Sequence, residues 1–353
     1  MEFEDFAPKL TMLLYGVIGF VVVVGGLLLL LDVVPNYFAR RREAALVAAS
    51  LSSSDAPAGQ RVGRRVRKHR EGLLGLAFLL PALLLLLIGL VIPAIRTIIL
   101  SLFNGNSESF VGLDNYGWIF RENDIIRVLL NTAGWVVLVP LLATSVGLLY
   151  AVMVDRARFE AIAKSLIFLP MAISFVGAGI IWRFVYAYRG EGDQIGLLNW
   201  LWTSVGGEPR QWLNEGPLNT FLLIVVMVWI QAGFAMVILS AAIKAIPSDI
   251  VEAARLDGVT PWQMFWRVTL PSIRPALIVV VVTISIGTMK IFDIVRTMTN
   301  GNFDTNVVAL EMYNQAFRYQ QAGQGSALAV FLFILVIPIV IFQIRNLRRQ
   351  REG

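Results

Sequence analysis

The chain has no cysteine and a single histidine, His69, in 353 residues. Those absences exclude disulfides, thiol nucleophiles and iron–sulfur ligation, and leave no group of imidazoles from which a histidine-based zinc site is built. Charge is scarce as well: 15% of residues are Asp, Glu, Lys or Arg, against about 25% in an ordinary soluble domain. The pattern Gly-x-x-x-x-Gly-Lys-Ser/Thr occurs nowhere, so the chain lacks a phosphate cradle and is not expected to hydrolyse ATP. No catalytic residue, metal ligand or resident cofactor is expected.

What is abundant is apolar. Hydrophobic residues make up 57% of the chain and the mean hydropathy is +0.71. A hydrocarbon core about 30 Å thick is spanned by roughly 20 consecutive apolar residues in a helix. Uncharged stretches at Thr11–Leu31, Gly72–Ile95, Val128–Val154, Ser165–Trp182, Leu218–Ile243, Pro275–Met289 and Ala322–Ile344 predict an all-α membrane protein with seven spans. The stretch from Pro275 is short, but apolar character resumes beyond Lys290, which predicts a helix running past that charge. Glu2, Glu4 and Asp5 stand where a signal peptide carries its positive charge, so the first stretch is expected to be a retained helix.

Lys and Arg alternate between connections. Arg40, Arg41, Arg42, Arg61, Arg64, Arg65, Arg67, Lys68 and Arg70 follow the first span; Arg156, Arg158 and Lys164 follow the third. Lys244, Arg255, Arg267 and Arg274 follow the fifth, and Arg345, Arg348, Arg349 and Arg351 the last. The other connections hold far fewer cations, which predicts an outer amino terminus and a cytoplasmic carboxyl terminus. The net charge of +6 is thereby explained, and no basic face is left for nucleic acid. The organisation expected is an N-terminal transmembrane helix over 1–38, a cytoplasmic basic linker over 39–71 and a six-span core over 72–353. Within the linker, Ser52–Gly59 is expected to be mobile. Its basic end serves as a topology signal or as a docking site.

The cytoplasmic loop 244–274 has the local grammar of two short helices. Ser248 or Asp249, with Glu252, suits an N-cap, and Gly258 suits a left-handed terminator. Thr260, Pro261 and Gln263 form a capping box for a second helix, predicted to end before Pro271. This elbow carries Ile250, Val251, Ala254, Trp262, Phe265 and Trp266. Such residues either lie under the chain's own helices or at the lipid interface, or enter a groove on a separate protein.

The order Glu252-Ala253-Ala254, three residues, Gly258, nine residues, Val268, one residue, Leu270-Pro271 resembles the EAA loop of binding-protein-dependent ABC importer permeases. Val268 stands where isoleucine is common. Phe110-Val111-Gly112-Leu113-Asp114-Asn115-Tyr116 with Asn131-Thr132, and Lys290-Ile291-Phe292-Asp293 with Thr299-Asn300-Gly301, resemble the carbohydrate-uptake group, the maltose- or alpha-glucoside-type inner-membrane subunits. The resemblance implies a six-helix, type I, MetI-like core bearing one extra N-terminal helix, in a prokaryotic plasma membrane. It implies a second permease subunit, a cytoplasmic ATPase dimer that binds ATP and Mg, and an extracytoplasmic solute-binding protein that delivers a sugar or polyol. Glu252, Ala253, Ala254, Asp257, Gly258, Leu270 and Pro271 would then couple to the ATPase.

Polar and aromatic residues within the spans are candidates for holding the solute: Asn131, Trp229, Gln231, Phe234, Ser285 and Thr288. An amide, hydroxyls and aromatic faces suit a neutral sugar, although the same residues also serve as hydrogen-bonding glue between helices. Lys290 and Asp293, three apart, are expected to neutralise each other. An ion-coupled secondary transporter is the alternative class, and glycerol phosphate or another small metabolite the alternative cargo. Core spans nearly free of acidic residues speak against ion coupling.

Overall fold

A bilayer interior cannot hydrogen-bond a peptide group, so each spanning segment must satisfy its own backbone. The computed structural model describes residues 79–155 and 158–352, and there the chain is helical throughout; its sole bridge pairs Phe103 with Phe110. The expected first helix and basic linker lie outside the described residues. The chain divides into two units at Ile95 and Arg96. In the first, the apolar residues from Leu79 begin α1, Leu79–Leu100, which includes a π turn at Leu87–Val91.

In the second unit the short helix α2 (Asp114–Arg121) precedes α3 (Asn123–Val154), which starts earlier than the uncharged stretch at Val128. α4 (Glu160–Phe168) and α5 (Phe175–Val185) follow, then α6 (Leu197–Ser204) and α7 (Leu218–Lys244). The elbow is α8 (Ser248–Leu256) and α9 (Pro261–Ser272). Beyond it come α10 (Arg274–Thr288), α11 (Asp293–Met298), α12 (Val308–Tyr313) and α13 (Ala322–Glu352). α1, α3, α7 and α13 are each long and apolar enough to cross a membrane, and the bent pairs α4–α5 and α9–α10 bring the number to six.

α3 and α7 form the centre. Val128, Thr132, Trp135, Val139, Ala143, Gly147 and Ala151 are buried at steps of three and four, one face of a 3.6-residue helix. Trp135, Val139, Ala143 and Ala151 meet Leu223, Met227, Ile230, Met236 and Leu239 of α7 in one cluster, while Val128 packs with Val308, Ala327 and Leu328 in a second. The opposite face of α3 exposes Leu130, Val137, Leu141 and Leu149, which suits lipid and not water. Small residues let the backbones approach: a Cβ on Gly147 would lie 2.4 Å from that of Ala235, and one on Gly233 would lie 2.6 Å from the Ile167 carbonyl oxygen.

Four local expectations are corrected. The predicted span Ser165–Trp182 is broken, with a 102° bend between α4 and α5. Pro170 sits there in a 3-10 turn, and Ser174 restarts the helix by accepting the Gly177 N–H at 3.1 Å. The helix from Arg274 does not pass Lys290; it ends at Thr288, and a turn at Met289–Lys290 leads through Ile291 and Phe292 to α11. The elbow's first helix is preceded by Pro247 with no side-chain cap, so Asp249 and Glu252 form no capping box. Its second helix runs through Pro271, because the π turn Phe265–Thr269 re-registers the backbone and Ser272 Oγ satisfies the Val268 carbonyl at 2.6 Å.

Gly147→Val drives two methyl groups into α7 and is expected to lower stability by about 1–3 kcal/mol. Gly134→Ala, whose Cβ meets nothing within 4 Å, is expected to raise it by up to about 1 kcal/mol. Thermal unfolding of the two variants in detergent checks the contrast.

Candidate functional site

The elbow is built by three local devices. At the end of α8, Gly258 adopts φ +73°, its N–H bonds the Arg255 carbonyl at 3.1 Å, and Val259 N–H reaches back to Ala254 at 3.2 Å. This is a Schellman closure, and it needs a residue tolerant of the left-handed region. Thr260 then caps α9: its Oγ1 accepts the Gln263 N–H at 3.3 Å and Gln263 Oε1 accepts the Thr260 N–H at 3.0 Å. The 68° bend at Ile273, between Pro271 and Pro275, turns the chain into α10.

Apolar groups stand outward on this frame. Leu256 is 90% exposed and Trp262 71%, with Ile250 and Trp266 about half exposed. Trp262 and Trp266 meet edge to face at 5.6 Å, and Phe265 packs on Trp266 at 5.3 Å. Glu252, Ala253, Asp257, Gly258 and Pro271 are exposed, and Ala254 and Leu270 half-buried, so the motif residues share one short structure and its surface. Such an apolar surface requires a cover, from lipid or from a partner.

Behind the elbow lies a cavity of about 790 Å³, with Val152, Asp155, Glu160 and Lys244 on one wall and Val251, Glu252, Arg255 and Phe265 on the other. An ion cluster ties the helix ends there. Lys164 Nζ lies 2.6 Å from Glu160 and also bonds Ser240; Lys244 Nζ bonds Glu160 and lies 3.6 Å from Asp155. These contacts place the ends of α3 and α7 and the start of α4 on the elbow's side. Sequence reasoning counted Lys164 and Lys244 only as topology signals, although the i, i+4 spacing of Glu160 and Lys164 was readable.

The span residues do not all converge. Asn131 donates to the carbonyls of Asp304 and Asn306 at 2.6 and 3.0 Å, fastening α3 to the loop after α11. Asn219, not anticipated, donates to the Phe303 carbonyl at 2.7 Å from α7. Between them they hold Phe303 and Asp304 in the left-handed region. Thr288 is fully buried and, like Ser285, bonds the carbonyl four residues back in its own helix, each at 2.8 Å. Trp229 meets Trp182 edge to face at 5.7 Å, and Phe234 is partly buried against the core. Gln231, half-buried in the middle of α7, finds no hydrogen-bond partner among the described residues. The expected Lys290–Asp293 pair does not form: Lys290 is exposed and neither residue is ion-paired among the described residues.

Long apolar helices around α3 and α7, two broken spans and an outward elbow between α7 and α10 define a polytopic transport permease. The chain belongs to the family described as binding-protein-dependent transport system inner membrane component, whose profile matches residues 143–351. It is 50% identical over 276 residues to the osmoprotective compounds uptake permease protein GgtC of Synechocystis sp., covering 78% of this chain and 99% of that protein. It is 46% identical over 278 residues to the alpha-glucoside transport system permease protein AglF of Rhizobium meliloti, covering 78% and 83%. The fold matches a chain of a bacterial ABC transporter involved in import of the acidic polysaccharide alginate, with TM-score 0.70, 24% identity and coverage of 81% and 99%.

Thr260→Ala is expected to fray the start of α9 by about 1 kcal/mol, which corresponds to roughly fivefold faster limited proteolysis at Arg255 and Arg267. Thr260→Asp, which keeps an accepting oxygen, is expected to restore the native rate.

Proposed function

We propose that the chain is the membrane-spanning subunit of an importer that takes a sugar or polyol from an extracytoplasmic binding protein and passes it across a prokaryotic plasma membrane. ATP hydrolysis is carried out by separate cytoplasmic ATPase subunits, and a second, related permease completes the path. The observation that carries the coupling is the elbow: two short helices joined by the Gly258 closure and the Thr260 cap hold Leu256, Trp262 and Trp266 outward, a surface that suits a groove on a partner. Its Gly258 bend sets the angle between the helices, and Glu252, Ala253, Ala254 and Asp257 form the docking side. Leu270 and Pro271 lead the chain back toward α10. The amino terminus is placed outside and the carboxyl terminus in the cytoplasm, with an N-terminal helix over 1–38 and a basic linker over 39–71 joined to the core.

The carbohydrate reading is supported by the Rhizobium meliloti relative, which is named for alpha-glucoside transport. It is also supported by the residues within the spans. An amide at Gln231, unpartnered among the described residues, offers a donor and an acceptor to a ring rich in hydroxyls, and Phe234, three residues on, adds an aromatic face, while Trp229 packs on Trp182. Ser285, Thr288 and Asn131 complete the set proposed from the sequence, and in this conformation their donors bond protein carbonyls.

Purification from native membranes tests the proposal. The chain is expected to bring down an ATPase and a second permease. Gly258→Pro, which removes an N–H and forbids positive φ, is expected to abolish copurification or the stimulation of hydrolysis by binding protein. Gln231→Leu with Phe234→Ala is expected to reduce sugar uptake at least tenfold without loss of assembly. Recovery of an isolated chain whose uptake collapses with an uncoupler and ignores ATP would identify an ion-coupled transporter. Glycerol phosphate outcompeting sugars would identify the other cargo.

A further inference from the structure

At the end of α3 away from the elbow, a cavity of about 540 Å³ opens between α2, the first turns of α3, the loop after α11, α12 and the start of α13. Its size is that of a small-molecule site. A buried carboxylate stands in its wall: Glu311 is 7% exposed, its Oε2 accepts from Asn306 Nδ2 and its Oε1 from Gln315 Nε2, each at 2.6 Å. Asn306 Oδ1 is taken by the Val307 N–H at 2.9 Å, which fixes that amide with its NH2 toward Glu311. No Lys or Arg pairs with Glu311 among the described residues. A buried charge is ordinarily paired, and a carboxylate has room for about four hydrogen bonds, so two amides leave Glu311 with acceptor capacity to spare.

A second acceptor adjoins it. Gln315 lines the same cavity and is 9% exposed; its Nε2 is spent on Glu311, and its Oε1 finds no donor among the described residues. Trp135 Nε1, Thr144 Oγ1 and Asn314 Oδ1 are also buried without partners, but those residues line no part of this cavity. The remaining wall is of the same kind. Glu122, Asp124 and Asp304 add carboxylates, and Arg127, the one cation on this wall among the described residues, lies 3.3 Å from Asp304. Trp118, half-buried, supplies an aromatic face. The cavity is thus rich in fixed acceptors, poor in free donors and negative in charge.

We propose that this cavity is an entry site on the outer face that holds a neutral polyhydroxylated solute, with Glu311 and Gln315 Oε1 accepting from its hydroxyls and Trp118 against its ring, and that turns anions away. The inference rests on the sugar-importer reading above. Hydroxyls bring donors without charge, which is what a wall of acceptors lacks. A phosphate or carboxylate brings acceptors to acceptors and negative charge to four carboxylates, so glycerol phosphate, the other cargo, is refused here by repulsion. The amide clamp on Glu311 is set before any solute arrives, so binding does not have to order it. Gln231, Phe234, Ser285 and Thr288 of the spans take no part in this wall.

The absence of native cysteine supplies the test, since Asp124→Cys places a single thiol at an exposed point of the wall. The whole importer is reconstituted in proteoliposomes, and the probe is whichever of radiolabelled maltose, sucrose and trehalose the native complex accumulates. Labelling by N-ethylmaleimide, an uncharged reagent, is followed by mass spectrometry of this chain, without binding protein so that nothing else shields the thiol. The probe sugar is expected to slow labelling at least fivefold, and glycerol phosphate at the same concentration to leave it unchanged. Gln315→Leu, added to the thiol variant, is expected to abolish the protection and, once binding protein is supplied, to lower sugar uptake at least tenfold while stimulated ATP hydrolysis persists, which a misfolded complex would not show. If Gln315→Leu does not assemble, Trp118→Leu takes its place. Labelling indifferent to the sugar overturns the proposal, as does equal protection by glycerol phosphate or by choline. Labelling slowed only by sugar-free binding protein overturns it too, marking a seat for a basic side chain of that protein. A native complex that accumulates none of the three sugars defeats the sugar-importer reading, whereas native uptake with an unprotected thiol defeats this inference alone.

Discussion

A hydrocarbon layer gives the backbone nothing to bond to, and the rest of the molecule follows from that constraint. Helices are the response wherever the chain crosses, and their packing cannot rely on the hydrophobic effect because lipid is as apolar as leucine. The α3–α7 pair therefore depends on close approach: Gly147 against Ala235, with Gly233 against the Ile167 carbonyl, brings backbones together so that dispersion acts across a long seam. Where a helix breaks, a stated group takes up the freed backbone. Ser174 does so at the start of α5, and Ser272 does so beside the π turn of α9.

The same constraint separates the two working regions. Outside the layer, polar chemistry is inexpensive, and the elbow uses it freely in a Schellman closure and a capping box whose purpose is to present Leu256 and Trp262 outward. At the helix ends on the elbow's side, Asp155, Glu160, Lys164 and Lys244 join α3, α4 and α7 in one charged knot directly behind the elbow. On the proposed coupling role, force applied to the elbow would be delivered to a braced set of helix ends. Inside the layer polar groups are few, and most bond carbonyls of the chain itself, as Thr132, Ser285 and Thr288 do; Gln231 of α7 is one that has no partner among the described residues.

Much of this was legible from residues alone, for reasons of locality. Thr260 with Pro261 and Gln263 specifies a cap within four residues, and Gly258 specifies its own φ, so the second half of the elbow was readable without tertiary knowledge. Four spanning helices from Leu79 onward, or up to six with each bent pair counted as one span, agree with the hydropathy of the core. The break between α4 and α5 was not readable, because apolar composition is uniform across it and the bend is set by Pro170 together with α7 pressing at Gly233. The end of α10 before Lys290 was missed for a similar reason: a run of apolar residues continues beyond the charge while the backbone does not. Asn131 read as a solute ligand from its type, whereas the loop carbonyls it bonds are distant in sequence, at Asp304 and Asn306.

The central claim is that the elbow transmits ATP hydrolysis to the spans by seating in a partner. Leu256, the most exposed large apolar residue of the elbow, can be made the chain's single cysteine and carried through assembly with its natural partners. A short thiol-directed photocrosslinker at that position is predicted to join this chain to the ATPase subunit, with a yield that changes on addition of nucleotide. Capture of lipid alone, in an importer shown to be intact and active, would contradict the account.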